Sequence, residues 1–502
     1  DLALRGPHPG HVLPDYDAVI FDEAHQIEDV ATDFFGVRVT NARIARLIGE
    51  TERNLTQATR LELADARVWP RMMQRLRLAS DNFWNRLVGQ LGQGRTPLVP
   101  DFWLGPCREA WLELDAALEF VQLDTKALAG NLTGVSGSSV GTLIDALELD
   151  SRRAQQLRDH LAEIIEGRPH HVSWAEVAGR QQSLSSSPVE MSDLLRERVF
   201  DRVPTVVLTS ATLATEATRH GATNKPFAYF ERRVGLEGTT AHVEELIVPS
   251  PFDYASQALL YTPEDLPEPS APSFLDAVAN RSAELIELTG GGAFVLTTSN
   301  RSLGILAREL RARLPGHCVL VQGEAPRTAL LEEFREETDA VLVATLGFWE
   351  GVDVPGDSLR LVILEKVPFA VPSDPVLAAR AAALEEAGLN AFAHLQVPAA
   401  IITLKQGFGR LIRRRGDLGI VALLDVRVRR KSYGRRLLSA LPPARQLTRW
   451  EDVSRHWRQL LATRAAGGVG RDESDEAEVS GRGESESSSL TARVTMEGRR
   501  SS

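Results

Sequence analysis

Ala18-Val-Ile-Phe-Asp-Glu-Ala-His25 runs four apolar residues straight into two carboxylates and a histidine. A short apolar run closed by acidic residues reads as a buried strand of a parallel sheet, delivering Asp22 and Glu23 at the C-terminal edge where α/β folds bind ligands. A nucleotide phosphate at that edge would find Mg²⁺ on Asp22, directly or through water, and an attacking water oriented or deprotonated by Glu23. The same letters also suit a helix start, with Asp22 as N-cap and Glu23 in the first turn, and the stretch alone does not choose.

Composition sets outer limits. With 502 residues, 43% of them hydrophobic, the chain can bury two or three cores, and nothing in it approaches the unbroken apolar run of a membrane span. No membrane association is expected. The front, Asp1-Leu-Ala-Leu-Arg5, has neither an initiator Met nor a signal peptide, so the sequence reads as cut at its N-terminus. Cys107 and Cys318 stand far apart, which argues against a disulfide scaffold or a four-cysteine cluster within these residues and for a reducing cytoplasm. A net charge of −11 disfavours a wholly basic nucleic-acid coat but leaves room for a local basic groove.

From about residue 41 to 166 apolar residues recur at i, i+3, i+4, as in Leu76, Leu78, Phe83, Leu87, Leu91 and in Leu112, Leu114, Leu118, Val121, which predicts a helical insert. Its tryptophans, Trp69, Trp84, Trp103 and Trp111, suit base stacking but at helical spacing are more often core. Gly130 to Gly141 reads as a flexible connection. The α/β pattern resumes near Val172, and Thr205-Val-Val-Leu-Thr-Ser-Ala-Thr212 reads as a second buried strand. Its hydroxyls, Thr209, Ser210 and Thr212, reach the same sheet edge and can bond His25 or the carboxylates, or simply close the strand as an ST-turn. Beyond a proline-dense stretch ending at Pro272, five apolar runs at 293–297, 318–321, 340–344, 361–364 and 420–424 predict a second parallel sheet flanked by helices. No Gly-Lys dipeptide occurs, so neither lobe carries a P-loop.

Two polar clusters mark the second lobe. In Thr345 to Gly356 a strand runs into a glycine-rich loop whose Glu350 and Asp353 suit ribose, phosphate-bound water or a facing arginine, or a solvated turn. In Lys405-Gln-Gly-Phe-Gly-Arg-Leu-Ile-Arg413 a helix would align Gln406, Arg410 and Arg413 on one stripe. Gly407 and Gly409 cost roughly 1 kcal/mol each in a helix interior, which suggests close packing against that backbone. Guanidinium groups suit phosphate, and an arginine finger contributes about 10³–10⁵ in rate; a solvated basic face continuing through Arg414 and Arg415 is the alternative.

Taken in order, Asp22-Glu-Ala-His25, Ser210-Ala-Thr212, Leu296-Thr-Thr-Ser-Asn300, the Glu350-Gly-Val-Asp353 loop and Gln406-x-x-Gly-Arg-x-x-Arg413 resemble motifs II to VI of superfamily-2 helicases. Ser250-Pro-Phe-Asp-Tyr254, Leu424-Asp-Val-Arg427, Lys431-Ser-Tyr-Gly434 and Leu441-Pro-Pro443 are similar to the DinG branch of the XPD-like DNA helicases. The resemblance covers about residues 12–463 and implies two RecA-like parallel-sheet lobes, with a helical Arch-like insert in the first. The expected division is 1–40 and 167–248 for the first lobe, 41–166 for the insert, 249–463 for the second lobe, and 464–502 as a disordered acidic tail.

The resemblance further implies an ATP-dependent enzyme moving 5′ to 3′ on single-stranded DNA, unwinding duplexes and acting at DNA junctions in repair or replication, as a monomer. Asp22 and Glu23 would hold Mg²⁺, with Glu23 also activating water. His25, Ser210 and Thr212 would couple hydrolysis to movement. Gln406, Arg410 and Arg413 would reach the γ-phosphate, Gly351 and Asp353 would complete the nucleotide side, and Ser299 and Asn300 would touch the DNA backbone. Family members carry the phosphate-binding loop, and many a 4Fe-4S cluster, upstream of the DEAH-like strand. These residues by themselves are therefore expected not to hydrolyse ATP efficiently, and a non-catalytic DNA-binding or regulatory subunit is the contrasting expectation.

Overall fold

The structure is a computed structural model that describes residues 14–467 and 492–497, apart from 15, 66, 136, 217–224, 349–353, 355 and 372. Two compact units divide it, one of Glu28–Asp193 with Val371–Gly388, the other of Pro14–Ile27, Leu194–Ala370 and Leu389–Ser502.

The first described strand, Ala18–Phe21 (β1), belongs to the second unit, and the chain then enters the first. There Val37–Thr40 (β2), Gly94–Leu98 (β3), His171–Ala178 (β4) and Gln181–Pro188 (β5) form an antiparallel sheet in the order β2-β5-β4-β3. Strands β4 and β5 therefore belong with the helical insert and not with the first lobe, to which 167–248 was expected to return. Four helices, Asn41–Arg60, Trp69–Gln90, Pro106–Leu132 and Ser138–Glu166, supply the rest of this unit's core.

Leu76, Phe83, Leu87, Leu114, Leu118 and Val121 are buried as their spacing demands, whereas Leu78 and Leu112, each two residues from a core position, point to solvent. Trp84, Trp103 and Trp111 are core, their rings 5.3, 6.5 and 6.5 Å from that of Phe83. Helix occupies both flanks of the expected connection, Pro106–Leu132 before it and Ser138–Glu166 after it.

Val371–Gly388, expected within the second lobe, joins this first unit through charge. Arg380 pairs with Glu28 at 2.9 Å and also donates to the Val189 carbonyl and the Thr32 hydroxyl, while Arg95 bonds Asp374 at 2.7 Å. Both Arg380 and Glu28 are about nine-tenths buried, so removing one partner would strand the other's charge, a loss of several kcal/mol.

The second unit holds two sheets. In the first, Thr205–Ser210 (β6) pairs with β1 in parallel. Strand β1 is parallel as expected but not buried: it lies at the sheet edge with β6 as its one described neighbour, and Ile20 is 70% exposed. Strand β6 has a partner on each side. The chain continues through His242–Ile247 (β7) into the second sheet, built from Ala258–Tyr261 (β8), Ala293–Thr297 (β9), Val319–Val321 (β10), Val341–Thr345 (β11), Leu361–Leu364 (β12), Gly419–Leu423 (β13) and Arg445–Leu447 (β14).

Every pairing in this sheet is parallel, in the order β10-β11-β9-β12-β13-β8-β14. Alternation distributes one strand's residues to two cores: Phe294 and Leu296 pack with Phe334, Ile401 and Leu404, while Ala293 and Val295 pack with Ile286, Leu306 and Trp457.

Of the tail expected to be disordered, only residues 464–467 and 492–497 are described, and both stretches are ordered elements. The helix Trp450–Gly467 carries the chain past residue 464, and Ala492–Glu497 (β15) lies antiparallel between β6 and β7. Val494, Thr495 and Met496 make this short run compatible with a strand despite its acidic surroundings, and backbone partners on both sides satisfy its amides.

Gly434, in the helix Ser432–Ala440, is required for packing: a Cβ there would sit 1.8 Å from the Val428 carbonyl oxygen. Gly434→Ala, which in a free helix would stabilise by roughly 1 kcal/mol, is expected instead to destabilise by about 1–3 kcal/mol. A thermal or urea melt checks the sign.

Candidate active site

Parallel pairing sets Phe21 opposite Leu208, so Asp22 and Glu23 leave β1 level with Thr209 and Ser210 leaving β6. The side chains meet accordingly. Thr209 Oγ1 donates to Asp22 Oδ1 at 3.0 Å, and Ser210 Oγ lies 3.4 Å from Glu23 Oε2. The chain turns sharply at Glu23, whose φ of 49° is left-handed and unusual for a residue with a side chain. That turn buries Ala24 and starts the 3₁₀ helix Ala24–Gln26, which points His25 back at the strand ends. Backbone strain at such a place costs on the order of 1–3 kcal/mol and is typical of sites where geometry matters more than stability.

His25 is the hub. Its Nδ1 is 2.8 Å from Ser210 Oγ and 3.3 Å from Glu23 Oε2, and its Nε2 is 2.6 Å from the amide nitrogen of Gln406. An amide nitrogen can only donate, so Nε2 accepts and the ring proton sits on Nδ1, facing the serine and the glutamate. Thr212 extends the set, its N–H donating to Ser210 Oγ at 3.2 Å and its hydroxyl 3.4 Å from the same atom. The His25 hydrogen bond, with smaller help from the charge of Arg410 and from Ser210, holds the Glu23 carboxyl below its ordinary pKa against the opposing effect of partial burial.

Gln406 and Arg410 stand on the helix Val397–Leu411, one turn apart. Arg413 does not complete their helical stripe: the helix ends at Leu411, Ile412 is extended, and Arg413 opens the following loop. The expected close packing at Gly407 and Gly409 is also absent, since a Cβ at either position would meet no described atom within 4 Å. Lys405, given no role from sequence, donates to the Ala214 carbonyl at 2.7 Å, and burial lowers its ammonium pKa to about 8. Consecutive residues, Lys405 and Gln406, thus grip the chain beyond β6 and the turn beyond β1.

Ser299 and Asn300 are exposed at the C-terminal end of β9, where Ser299 caps the helix Asn300–Arg313 by accepting from the Ser302 N–H at 3.1 Å. Polar bridges tie neighbouring strand exits of this sheet, the first of them next to Ser299. Glu365 Oε1 accepts from the Thr298 N–H and hydroxyl at 3.1 and 2.6 Å, Gln322 Oε1 from those of Thr345 at 2.8 and 3.0 Å, and Asp425 Oδ2 from the Val367 N–H at 3.0 Å. Sequence reading missed Glu365 and Gln322, although a polar residue directly after an apolar strand is the available signal. Glu350, Gly351 and Asp353 lie outside the described residues.

Asp22 is the residue suited to a metal. It is exposed, one of its oxygens is engaged by Thr209 and by the Glu23 N–H at 2.9 Å, and no cluster of three or more His, Cys, Asp or Glu able to cage an ion occurs among the described residues. That suits Mg²⁺, which keeps several waters and takes one or two carboxylates beside phosphate oxygens. The two cysteines, both free, cannot hold an iron–sulfur cluster. No helix among the described residues is long and apolar enough to cross a membrane.

Comparison with known proteins gives a consistent picture. A helicase C-terminal domain family model matches residues 282–444. The ATP-dependent DNA helicase YoaA of Escherichia coli is 35% identical over 92% of this chain and 67% of its own length. The ATP-dependent helicase DinG of Mycobacterium tuberculosis is 31% identical over 91% of this chain and 65% of its own. The chain therefore spans about two thirds of these relatives. The solved structure of S. tokodaii Xpd4 aligns over 89% of this chain and 79% of that one, with a TM-score of 0.51 and 16% identity, a likeness of fold.

In the metal-free protein, a carboxyl NMR titration of Glu23 is expected to give a midpoint below that of an ordinary glutamate, and His25→Ala is expected to raise it. Because the folded value is depressed, the stabilisation it brings is present above the unfolded pKa and lost as pH falls through the folded one. An unmoved midpoint in His25→Ala contradicts the hub.

Proposed function

The chain belongs to the DinG and YoaA family of ATP-dependent DNA helicases, and we propose that it couples ATP hydrolysis to 5′-to-3′ movement on single-stranded DNA, unwinding duplexes and junctions in repair or replication. In this reading the sheet of β1, β6, β15 and β7 is the first motor lobe, the seven-stranded sheet is the second, and the unit of residues 28–193 is the Arch-like insert. Its compartment is the cytoplasm, in keeping with two free cysteines, and its working form is a monomer.

The observation that carries the proposal is the His25–Gln406 hydrogen bond. It joins the carboxylate-bearing end of one sheet to the arginine-bearing helix packed on the other. Asp22 would hold Mg²⁺ through itself and water, with Glu23 beside it, and the ion would offset charge on the phosphate oxygens. Glu23, kept ionised, orients and deprotonates the attacking water. Gln406, Arg410 and Arg413 meet the γ-phosphate from the other side, with Gly351 and Asp353 completing the nucleotide site. Ser210 and His25 lie between the carboxylates and Gln406, with Thr212 bonded to Ser210, and the three so feel both the loss of the phosphate and the position of the second lobe. Ser299 and Asn300, held on rigid strand exits, contact the DNA backbone, which carries no sequence information.

Glu23→Gln and Arg413→Ala in the full-length protein are each expected to lower DNA-stimulated ATP turnover by about a hundredfold or more while single-stranded DNA still binds. Duplexes with a 5′ or a 3′ tail test direction, the 5′-tailed one being unwound. Wild-type turnover in both variants removes the assigned roles.

A further inference from the structure

Arg413 stands outside the helix that carries Gln406 and Arg410, so something other than helical geometry must aim it. The loop it opens, Arg413 to Asp417, is held by two buried side chains. Asp417, 7% exposed, accepts the N–H groups of both Arg413 and Arg414 on Oδ2, each at 2.8 Å, and its own N–H donates to the Arg414 carbonyl at 3.1 Å. Gln257, 6% exposed, points its amide nitrogen at the carbonyls of Arg414, Arg415 and Asp417 at 3.1, 3.1 and 3.0 Å. The glutamine's orientation is determined by its partners: Oε1 accepts the Asp253 N–H at 3.0 Å, and flipping the amide would face oxygen with three carbonyls and nitrogen with a donor.

Gln257 also has a telling place in the chain. It ends the short helix Tyr254–Gln257, immediately after Ser250-Pro-Phe-Asp253 in the connection from β7 of the first sheet to β8 of the second. The Asp253 N–H and the arginine loop therefore share one amide.

We infer that Gln257 is a positioning residue for Arg413, and that through it the connection between the two sheets grips the loop from which Arg413 reaches the nucleotide. The inference rests on the catalytic reading of Arg413 given above. Gln257 touches no phosphate; it fixes the carbonyls of a loop whose amides Asp417 fixes from the other side. A change in the path of residues 250–257 would thus move the arginine as the lobes move.

The test uses the full-length protein with Gln257→Leu, Gln257→Glu, Arg413→Ala and the double variant Gln257→Leu/Arg413→Ala. Gln257→Leu is expected to lower DNA-stimulated kcat by about 10–100-fold, the effect of misplacing a reacting group by an ångström or so, with KM for ATP and single-strand affinity changed by less than about twofold. Gln257→Glu, equal in size but with an oxygen where the donor was, should behave like the leucine variant; wild-type activity there overturns the hydrogen-bonding role. In the Arg413→Ala background Gln257→Leu should cost no more than about twofold. Full additivity overturns the inference.

Amide hydrogen exchange supplies a second readout, independent of catalysis. The Arg413 and Arg414 N–H groups should exchange faster in Gln257→Leu while β13 keeps its protection, which also shows that the variant folds. Unchanged exchange at 413 and 414 overturns the clamp whatever Arg413 does. If Arg413→Ala leaves turnover intact, the catalytic reading fails by itself, and exchange still decides the role of Gln257.

Discussion

One imidazole constrains the rest of the site. His25 has two ring nitrogens, and each is committed: Nδ1 to Ser210 and Glu23 at the exits of β6 and β1, Nε2 to Gln406 on a helix packed against the other sheet. A neutral hydrogen bond contributes on the order of 1 kcal/mol net and one from an ammonium about 1.5–3 kcal/mol, so this link and the Lys405–Ala214 bond register the two sheets without locking them. A triphosphate bound between Asp22 and the arginines would bring far larger charge-assisted interactions. In the proposed cycle, phosphate therefore decides closure, and the histidine reports whether its two neighbours are in place.

Position at the site comes from parallel strands more than from any one contact. Matching β1 to β6 brings two carboxylates and two hydroxyls level, and the seven-stranded sheet, buried on both faces, does the same for the exits of β9 to β13. Side chains then finish what backbone pairing begins. Glu365, Gln322 and Asp425 each tie one strand's exit to its neighbour's, and Gln257 with Asp417 does so for the loop before β13. Each is a buried or half-buried polar group whose partners are mostly backbone, so its loss would leave unsatisfied donors or acceptors as well as a looser loop.

Much of this was legible in sequence because short apolar runs ending in polar letters encode a parallel strand and its functional edge together. The pairing of Asp22, Glu23 and His25 with Ser210 followed from reading both runs as neighbours, and the five expected strands of the second sheet appear within a residue of their expected bounds. What failed depended on order and partners, which local pattern does not carry. That β1 has β6 as its one neighbour among the described residues is a matter of sheet order, and that Val371–Gly388 leaves its lobe depends on Arg380 finding Glu28 some 350 residues away. Strand β15 was hidden by the acidic composition around it. The departure of Arg413 from its helix was missed because Gln406, Arg410 and Arg413 fit helical spacing perfectly, while the residues that end the helix's reach, Asp417 and Gln257, act from later and much earlier in the chain.

The central claim is that groups from the two sheets face the same phosphate. A crystal structure of the full-length protein with Mg²⁺, ADP and tetrafluoroaluminate measures this directly. The expected result is Mg²⁺ linked to Asp22, directly at about 2.0–2.1 Å or through a bound water, with Arg410 and Arg413 in hydrogen-bond reach of the fluoroaluminate and Glu23 beside its axial water. A nucleotide held by one sheet alone, with the arginines turned away from it, contradicts the claim.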